Sequence, residues 1–298
     1  MSRIDFSGRV AIVTGAGAGL GKDYAIELAK RNAKIVVNDL GGARDGSGSD
    51  SAVANKVVAE IKALGGDAVP NFDNVATVEG GENIVKTAVD AFGKVDILVN
   101  NAGILRDRSF AKMSPEDWDT VVAVHLRGTY CVTKPAFLNM KDNGYGRIIV
   151  TSSTSGTIGN FGQTNYGAAK LGIAGLANTL KQEGAKYNIK VNVLLPGAAT
   201  RLTEDLVSPE VFESMRVGWV TPAVIYLCSE QCRDTGLYIY AQSGRIGRSA
   251  IVTAPGEFFK EMPTPERVME KWEKISSLDD AKYYRNFKEI SEDLWTNS

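Results

Sequence analysis

The chain is short of several residue types, and each shortage closes off a class of function. Its 298 residues include three cysteines, Cys131, Cys228 and Cys232, and one histidine, His125. Three scattered thiols cannot frame a disulfide-bonded scaffold, and they fit a reducing compartment. A single histidine rules out a histidine-rich metal centre, and no metal site is expected. Charge of one sign is lacking as well: 34 lysines and arginines stand against 35 aspartates and glutamates. The balance offers no electrostatic case for nucleic acid or an anionic membrane surface. No apolar run is long enough to span a membrane, and Met1-Ser2-Arg3-Ile4-Asp5 does not open as a signal peptide does. Thr296-Asn297-Ser298 is not a peroxisomal address. The expectation is a soluble, cytoplasmic protein.

What is present is apolar material arranged in a rhythm. Hydrophobic residues make up 44% of the chain, enough for one large or two small domains. Short apolar runs such as Arg9–Thr14, Lys34–Asp39, Ala68–Phe72, Val95–Val99, Arg147–Thr151 and Lys190–Leu195 alternate with helix-like stretches. Strands alternating with helices predict a parallel sheet covered on both faces, and uninterrupted apolar strands agree. The rhythm breaks at the glycine-rich loop 40–49. It ends beyond about Ser243, where Pro255, Pro263 and Pro265 lead into a charged, helix-like tail. The expected division is a body over 1–245 and an extension over 246–298 that packs on the body or on a partner subunit.

Between the first strand and the first helix lies Thr14-Gly15-Ala-Gly-Ala-Gly19-Leu20-Gly21. Glycines there let the backbone turn sharply and approach a pyrophosphate, which the free N–H groups of the helix N-terminus stabilise. A glycine-rich turn with no ligand is the plain alternative, but the strand before and helix after favour the dinucleotide reading. Asp39 ends the second strand, where a carboxylate accepts hydrogen bonds from a ribose diol and repels a 2′-phosphate. No lysine or arginine precedes Gly19, so NAD is expected rather than NADP. Asp73-Asn74-Val75 and Asn100-Asn101-Ala102-Gly103 follow the third and fourth strands, at the sheet edge where ligands bind; both could equally form turns.

Tyr166 and Lys170 are four residues apart, hence neighbours on one helix face. An ammonium beside a phenol favours the phenolate, so the tyrosine pKa should fall from its usual value of about 10. A tyrosine so tuned can serve as a general acid/base. Ser153 lies thirteen residues upstream, with Ser152 and Ser155 as neighbouring alternatives.

The order and spacing of Thr14-Gly-x3-Gly-x-Gly21, Asn100-Asn-Ala-Gly103, Ser153, Tyr166-x3-Lys170 and Pro196-Gly197 resemble the short-chain dehydrogenase/reductase family over roughly residues 7–245. The resemblance implies a single-domain α/β Rossmann fold, a doubly wound parallel sheet of about seven strands, with bound NAD. Tyr166 would be the acid/base, Ser153 the partner of the substrate oxygen, and Lys170 the contact to the nicotinamide ribose that lowers the tyrosine pKa. Gly15, Gly19, Leu20, Gly21, Asp39, Asp73, Asn74, Val75, Asn101, Ala102, Gly103, Pro196 and Gly197 would join Tyr166 and Lys170 around the cofactor. The family commonly carries an asparagine where this chain has His125. That histidine either plays a structural role or takes over the asparagine's place near the lysine.

Asn38-Asp-Leu-Gly-Gly42, Val124-His-Leu-Arg-Gly128 and Gly159-Asn-Phe-Gly-Gln-Thr-Asn-Tyr166 are similar to the (3R)-hydroxyacyl-CoA dehydrogenase domains of peroxisomal multifunctional enzymes of type 2. The implied substrate is an acyl-CoA, with a 17β-hydroxysteroid or other secondary alcohol as alternative, turned over by a free-standing homodimer or homotetramer. A non-catalytic NAD-binding scaffold is the reading from another class, and the intact Ser153, Tyr166 and Lys170 set argues against it. Leu202, Leu206, Val207, Val211, Phe212 and Met215 could cover an acyl chain or simply pack. Arg106, Arg108 and Arg201 are candidates for the phosphates of coenzyme A.

Overall fold

The computed structural model describes residues 3–198 and 215–295. Arg201 and the apolar stripe from Leu202 to Phe212 lie outside them, whereas Met215 is buried. Two compact units divide the chain, Met1–Arg248 and Ser249–Ser298. The boundary falls just beyond residue 245 because one more strand completes the first unit.

The first unit alternates as its sequence demands. β1 (Val10–Thr14) leads to α1 (Gly19–Ala29), β2 (Lys34–Asn38) to α2 (Ser51–Ala63), and β3 (Asp67–Asn71) to α3 (Val78–Phe92). β4 (Ile97–Asn100) precedes α4 (Pro115–Val122), a π turn over Ala123–Arg127, and α5 (Gly128–Asn143). β5 (Gly146–Thr151), α6 (Thr154–Thr157), α7 (Thr164–Gly184) and β6 (Ile189–Gly197) follow. After the helix Thr221–Cys228 come β7 (Tyr238–Gln242) and β8 (Arg245–Ser249). β-branched runs such as Val10-Ala-Ile-Val-Thr14 suit a pleated strand. All five of those residues are buried, as a sheet with helices on both faces requires.

The strand order is β3-β2-β1-β4-β5-β6-β7-β8, eight strands where about seven were expected. The extra strand is a hairpin partner: Ser243 and Gly244 both take positive φ (47° and 81°), the two-residue turn that folds β8 back along β7. Pro70 sits in β3, an edge strand, where its missing N–H costs no ladder bond on the open side. Apolar side chains separate onto the two faces. Tyr24, Leu28, Ile35, Val37 and Ile61 gather on one; Ile12, Ile84, Leu98, Met140, Ile148 and Ile173 gather on the other.

Parallel registry brings Thr14, Asn38, Asn100 and Thr151 to one sheet edge, through the pairs Thr14↔Asn38, Asn100↔Val150 and Thr151↔Leu194. Successive strands are laid down outward in opposite directions from the β1–β4 pair, which is itself parallel, and a crevice opens at such a switch point.

The second unit is a set of short helices, Pro265–Glu270, Trp272–Ser276 and Phe287–Ile290, with one antiparallel bridge between Thr253 and Lys282. Thr264 and Asn286 accept N–H groups from Arg267 and Glu289 and so start two of these helices.

Candidate active site

A cleft of about 580 Å³ opens at the switch point. Gly15, Gly19, Leu20, Asp39, Asp73, Asn74, Val75, Asn101, Ala102 and Gly103 all line it, as expected of a dinucleotide pocket. Gly21, Tyr166, Lys170, Pro196 and Gly197 do not. For Gly21 the reason is packing: a Cβ there would stand 2.2 Å from the Gly15 carbonyl oxygen and 2.5 Å from Asn101 Nδ2. This glycine lets α1 approach β1 and shapes the pocket from behind. At Gly197 a Cβ would meet Gln242 Oε1 at 2.2 Å, so that glycine closes β6 against β7.

The pocket floor suits a phosphate-bearing ligand. Ala18 precedes α1 without a side-chain cap, and the first turn holds no acidic residue, so the helix N–H groups remain available to an anion. Gly15 holds φ +62°, and a Cβ on it would lie 2.7 Å from Ala102 Cα. Asn101 anchors the turn by donating from Nδ2 to the Thr14 and Gly15 carbonyls, both at 3.1 Å. The Asp39 carboxylate accepts the N–H groups of Gly17 and Gly41, each at 2.7 Å. Those bonds hold it at the end of β2, where a ribose would lie. Asp73 takes Asn71 and Asn83 on its two oxygens and holds the next loop.

β5 and α7 bring together the second group of expected residues. Ser153 caps α6, its Oγ accepting the Ser155 N–H at 3.1 Å. Ser152 is committed elsewhere: buried, it donates from Oγ to the Lys170 carbonyl at 2.7 Å. Lys170 is buried, and its Nζ donates to the Thr151 carbonyl at 2.6 Å. The ammonium stands 5.3 Å from the centre of the Tyr166 ring.

The electrostatics reverse one expectation. Burial pushes the Tyr166 phenol up to about 12, with only a hydrogen bond from Ser153 opposing it. Burial also brings Lys170 down to about 7. Desolvation of the charged form is the largest cause at both groups, so burial favours the neutral phenol and the neutral amine.

His125 lies in the π turn, buried, with its ring edge-on to Tyr166 at 5.0 Å between centroids. Nε2 faces Ile104, 3.1 Å from its N–H and 2.8 Å from its carbonyl oxygen. The neutral ring carries one proton and can satisfy one of these groups at a time. Nδ1 is buried without a partner among the described residues. Burial and the neighbouring Lys170 charge hold the imidazole well below its usual pKa.

Several contributors escaped the sequence reading. Asn165, fully buried, donates to the Arg106 and Asp117 carbonyls at 3.1 Å and accepts the Tyr166 N–H at 2.7 Å, so it aims the start of α7. An asparagine beside a helix start was the available signal. Gly42, Ala43 and Gly46 of the glycine-rich loop also line the cleft, together with Ile104, Thr120 and Val124. Arg106, a candidate for coenzyme A phosphates, is paired with Glu116 at 3.0 Å. The cavity it shares with Arg44 and Arg108 also holds Asp45, Asp107, Glu116 and Asp117, and is not basic.

Comparison with known proteins bears on the family. The short chain dehydrogenase family model matches residues 9–210. A short-chain type dehydrogenase/reductase of Mycobacterium tuberculosis is 53% identical over 92% of this chain and 96% of its own length. The peroxisomal multifunctional enzyme type 2 of Mus musculus is 48% identical over 97% of this chain, which spans 39% of that enzyme. Among solved structures, the full-length enzyme of that name from Drosophila melanogaster superposes with a TM-score of 0.82 and 39% identity, covering 98% of this chain and 49% of that one. A 7α-hydroxysteroid dehydrogenase complexed with NADH and 7-oxo glycochenodeoxycholic acid gives a TM-score of 0.73 at 28% identity, over 80% of this chain and 95% of that one. With the fold, the glycine turn and the Ser153, Tyr166 and Lys170 arrangement in place, this chain belongs to the short-chain dehydrogenase family.

Proposed function

We propose that the chain is an NAD-dependent oxidoreductase interconverting (3R)-hydroxyacyl-CoA and 3-ketoacyl-CoA. The observation that carries the reaction type is one contact: the Tyr166 ring packs on His125, which holds Ile104 in the wall of the dinucleotide cleft. An acid/base is thereby set beside a cofactor pocket. The substrate class rests on similarity over nearly the whole chain to multifunctional enzymes, one of them named a hydratase-dehydrogenase-epimerase.

When bound, the nicotinamide supplies or accepts the hydride. The protein does the rest. Gly15, Gly19 and the start of α1 hold the pyrophosphate, and Asp39 the adenine ribose. The Ser153 hydroxyl holds the substrate oxygen, and Tyr166 Oη exchanges the proton with it. Lys170 would bind the second ribose and stabilise the phenolate that burial disfavours. His125 is a positioning residue that contacts both Ile104 in the cleft wall and the Tyr166 ring. A homodimer or homotetramer in the cytoplasm is the proposed working form; the three buried, unpaired cysteines suit a reducing compartment.

NADH formation is followed with (3R)- and (3S)-hydroxyacyl-CoA of several chain lengths beside 17β-estradiol. Turnover of the (3R)-thioester is expected. A rate confined to the steroid would remove the substrate assignment, and undiminished turnover in Tyr166→Phe would remove the mechanism.

A further inference from the structure

A basic cavity of the first unit lies at the opposite edge of the sheet from the cofactor cleft. Arg9 stands just before β1, Tyr145 and Arg147 at the start of β5, and Lys190 at the start of β6. With Arg233 and Glu230 they line a cavity of about 510 Å³. Four cations thus face one carboxylate.

Arg147 gives the cavity its chemistry. It is 4% exposed, yet no carboxylate pairs with it among the described residues. Nε donates to the Ser229 carbonyl, and Nη1 to those of Gly146 and Asn188. These bonds fix the guanidinium plane and leave Nη2 without a protein acceptor among the described residues. The Tyr145 ring is wedged between two guanidinium groups, 3.6 Å from that of Arg9 and 4.4 Å from that of Arg147. Cation–π stacking keeps both in place without neutralising either. Glu230 neutralises only Arg9, which also binds Asp96 beneath. A buried positive charge held by carbonyls and an aromatic face, with free donors toward a cavity, is costly unless an anion completes it.

We propose that this cavity binds a doubly charged oxyanion of the phosphate class, with Arg147 as its base and Lys190 and Arg233 at its rim. A planar guanidinium with a fixed plane suits tetrahedral oxyanions, and the two rim cations supply the second charge. The site is separate from the pyrophosphate turn, because the amino and carboxyl ends of parallel strands lie on opposite edges.

The test is titration calorimetry of the intact chain with inorganic phosphate, and then pyrophosphate, against chloride at equal ionic strength. Lys190→Ala/Arg233→Ala alters rim residues and leaves the core intact; it should weaken phosphate about tenfold, the size of effect expected on losing charge-assisted contacts. Glu230→Gln removes the one lining carboxylate and should tighten binding. No saturable phosphate binding in the wild-type chain would overturn the proposal. So would equal affinity in the double variant, which places the anion elsewhere, or weaker binding in Glu230→Gln.

Discussion

Lys170 Nζ donates to the backbone carbonyl of Thr151 at 2.6 Å, tying α7 to the last residue of β5. This bond satisfies one of three ammonium protons, in a place where burial draws the group down to about 7 from 10.5. Between those values the folded chain binds fewer protons at this site than the unfolded chain, so stability rises with pH through that window.

Lys170→Met removes the buried amine and with it that dependence. The ligand-free variant should melt higher than the wild type below about pH 7, by roughly 2–4 °C for each kcal/mol gained in a chain of this size. The gap should narrow as pH rises, while turnover is lost. Calorimetric scans at about pH 6 and about pH 9, either side of the lysine's position, decide it.

Tyr166 titrates in the other direction. With its phenol pushed up to about 12, the folded chain holds a proton that the unfolded chain releases from about pH 10. Its contribution to stability is present below pH 10 and lost as pH rises through 12. Difference absorbance of the ligand-free chain against Tyr166→Phe should show no tyrosinate from this residue at neutral pH. Added NAD should move its titration downward, and an unchanged titration would contradict the role given to Lys170.

Gly21→Ala places a methyl group 2.2 Å from the Gly15 carbonyl oxygen. Both α1 and the glycine turn must shift. The expected cost is about 1–3 kcal/mol, as for overpacking in general. NAD affinity, measured by fluorescence titration, should fall further than affinity for the acyl-CoA.

Asn165→Ala leaves the Arg106 and Asp117 carbonyls without their donor and the Tyr166 N–H without its acceptor. Unmet buried groups of this kind cost about 1–3 kcal/mol each. A fall in kcat larger than the change in KM for NAD would mark misplacement of Tyr166 rather than loss of the cofactor pocket.

The fold was legible because its signals are local. Apolar β-branched runs between glycine turns and helical stretches mark the strands and point to a parallel sheet, and the residues at the strand ends then share one edge. The site was legible where chemistry and spacing coincide, at Asp39, Ser153, Tyr166 and Lys170. Other features needed three dimensions. β8 was invisible because Arg245-Ile-Gly-Arg-Ser249 lacks an apolar run; it forms by pairing with β7 across Ser243-Gly244. The upward shift of Tyr166 depends on how much protein surrounds the phenol, which spacing along a helix does not report. Asn165 looks like an ordinary helix-start residue until its partners, 48 and 59 positions away in the chain, come into view.

The two outermost strands of the sheet bear on self-association. A sheet edge with open N–H and C=O groups templates the addition of strands from other copies and so the growth of fibrils. One edge here is β3, interrupted by Pro70, which offers no donor at that register. The other is β8, where the exposed Arg245 sets a positive charge on the border. Stacked copies would bring like charges together at one side and meet a missing donor at the other. At the β3 border an added strand would therefore find one donor fewer than it needs.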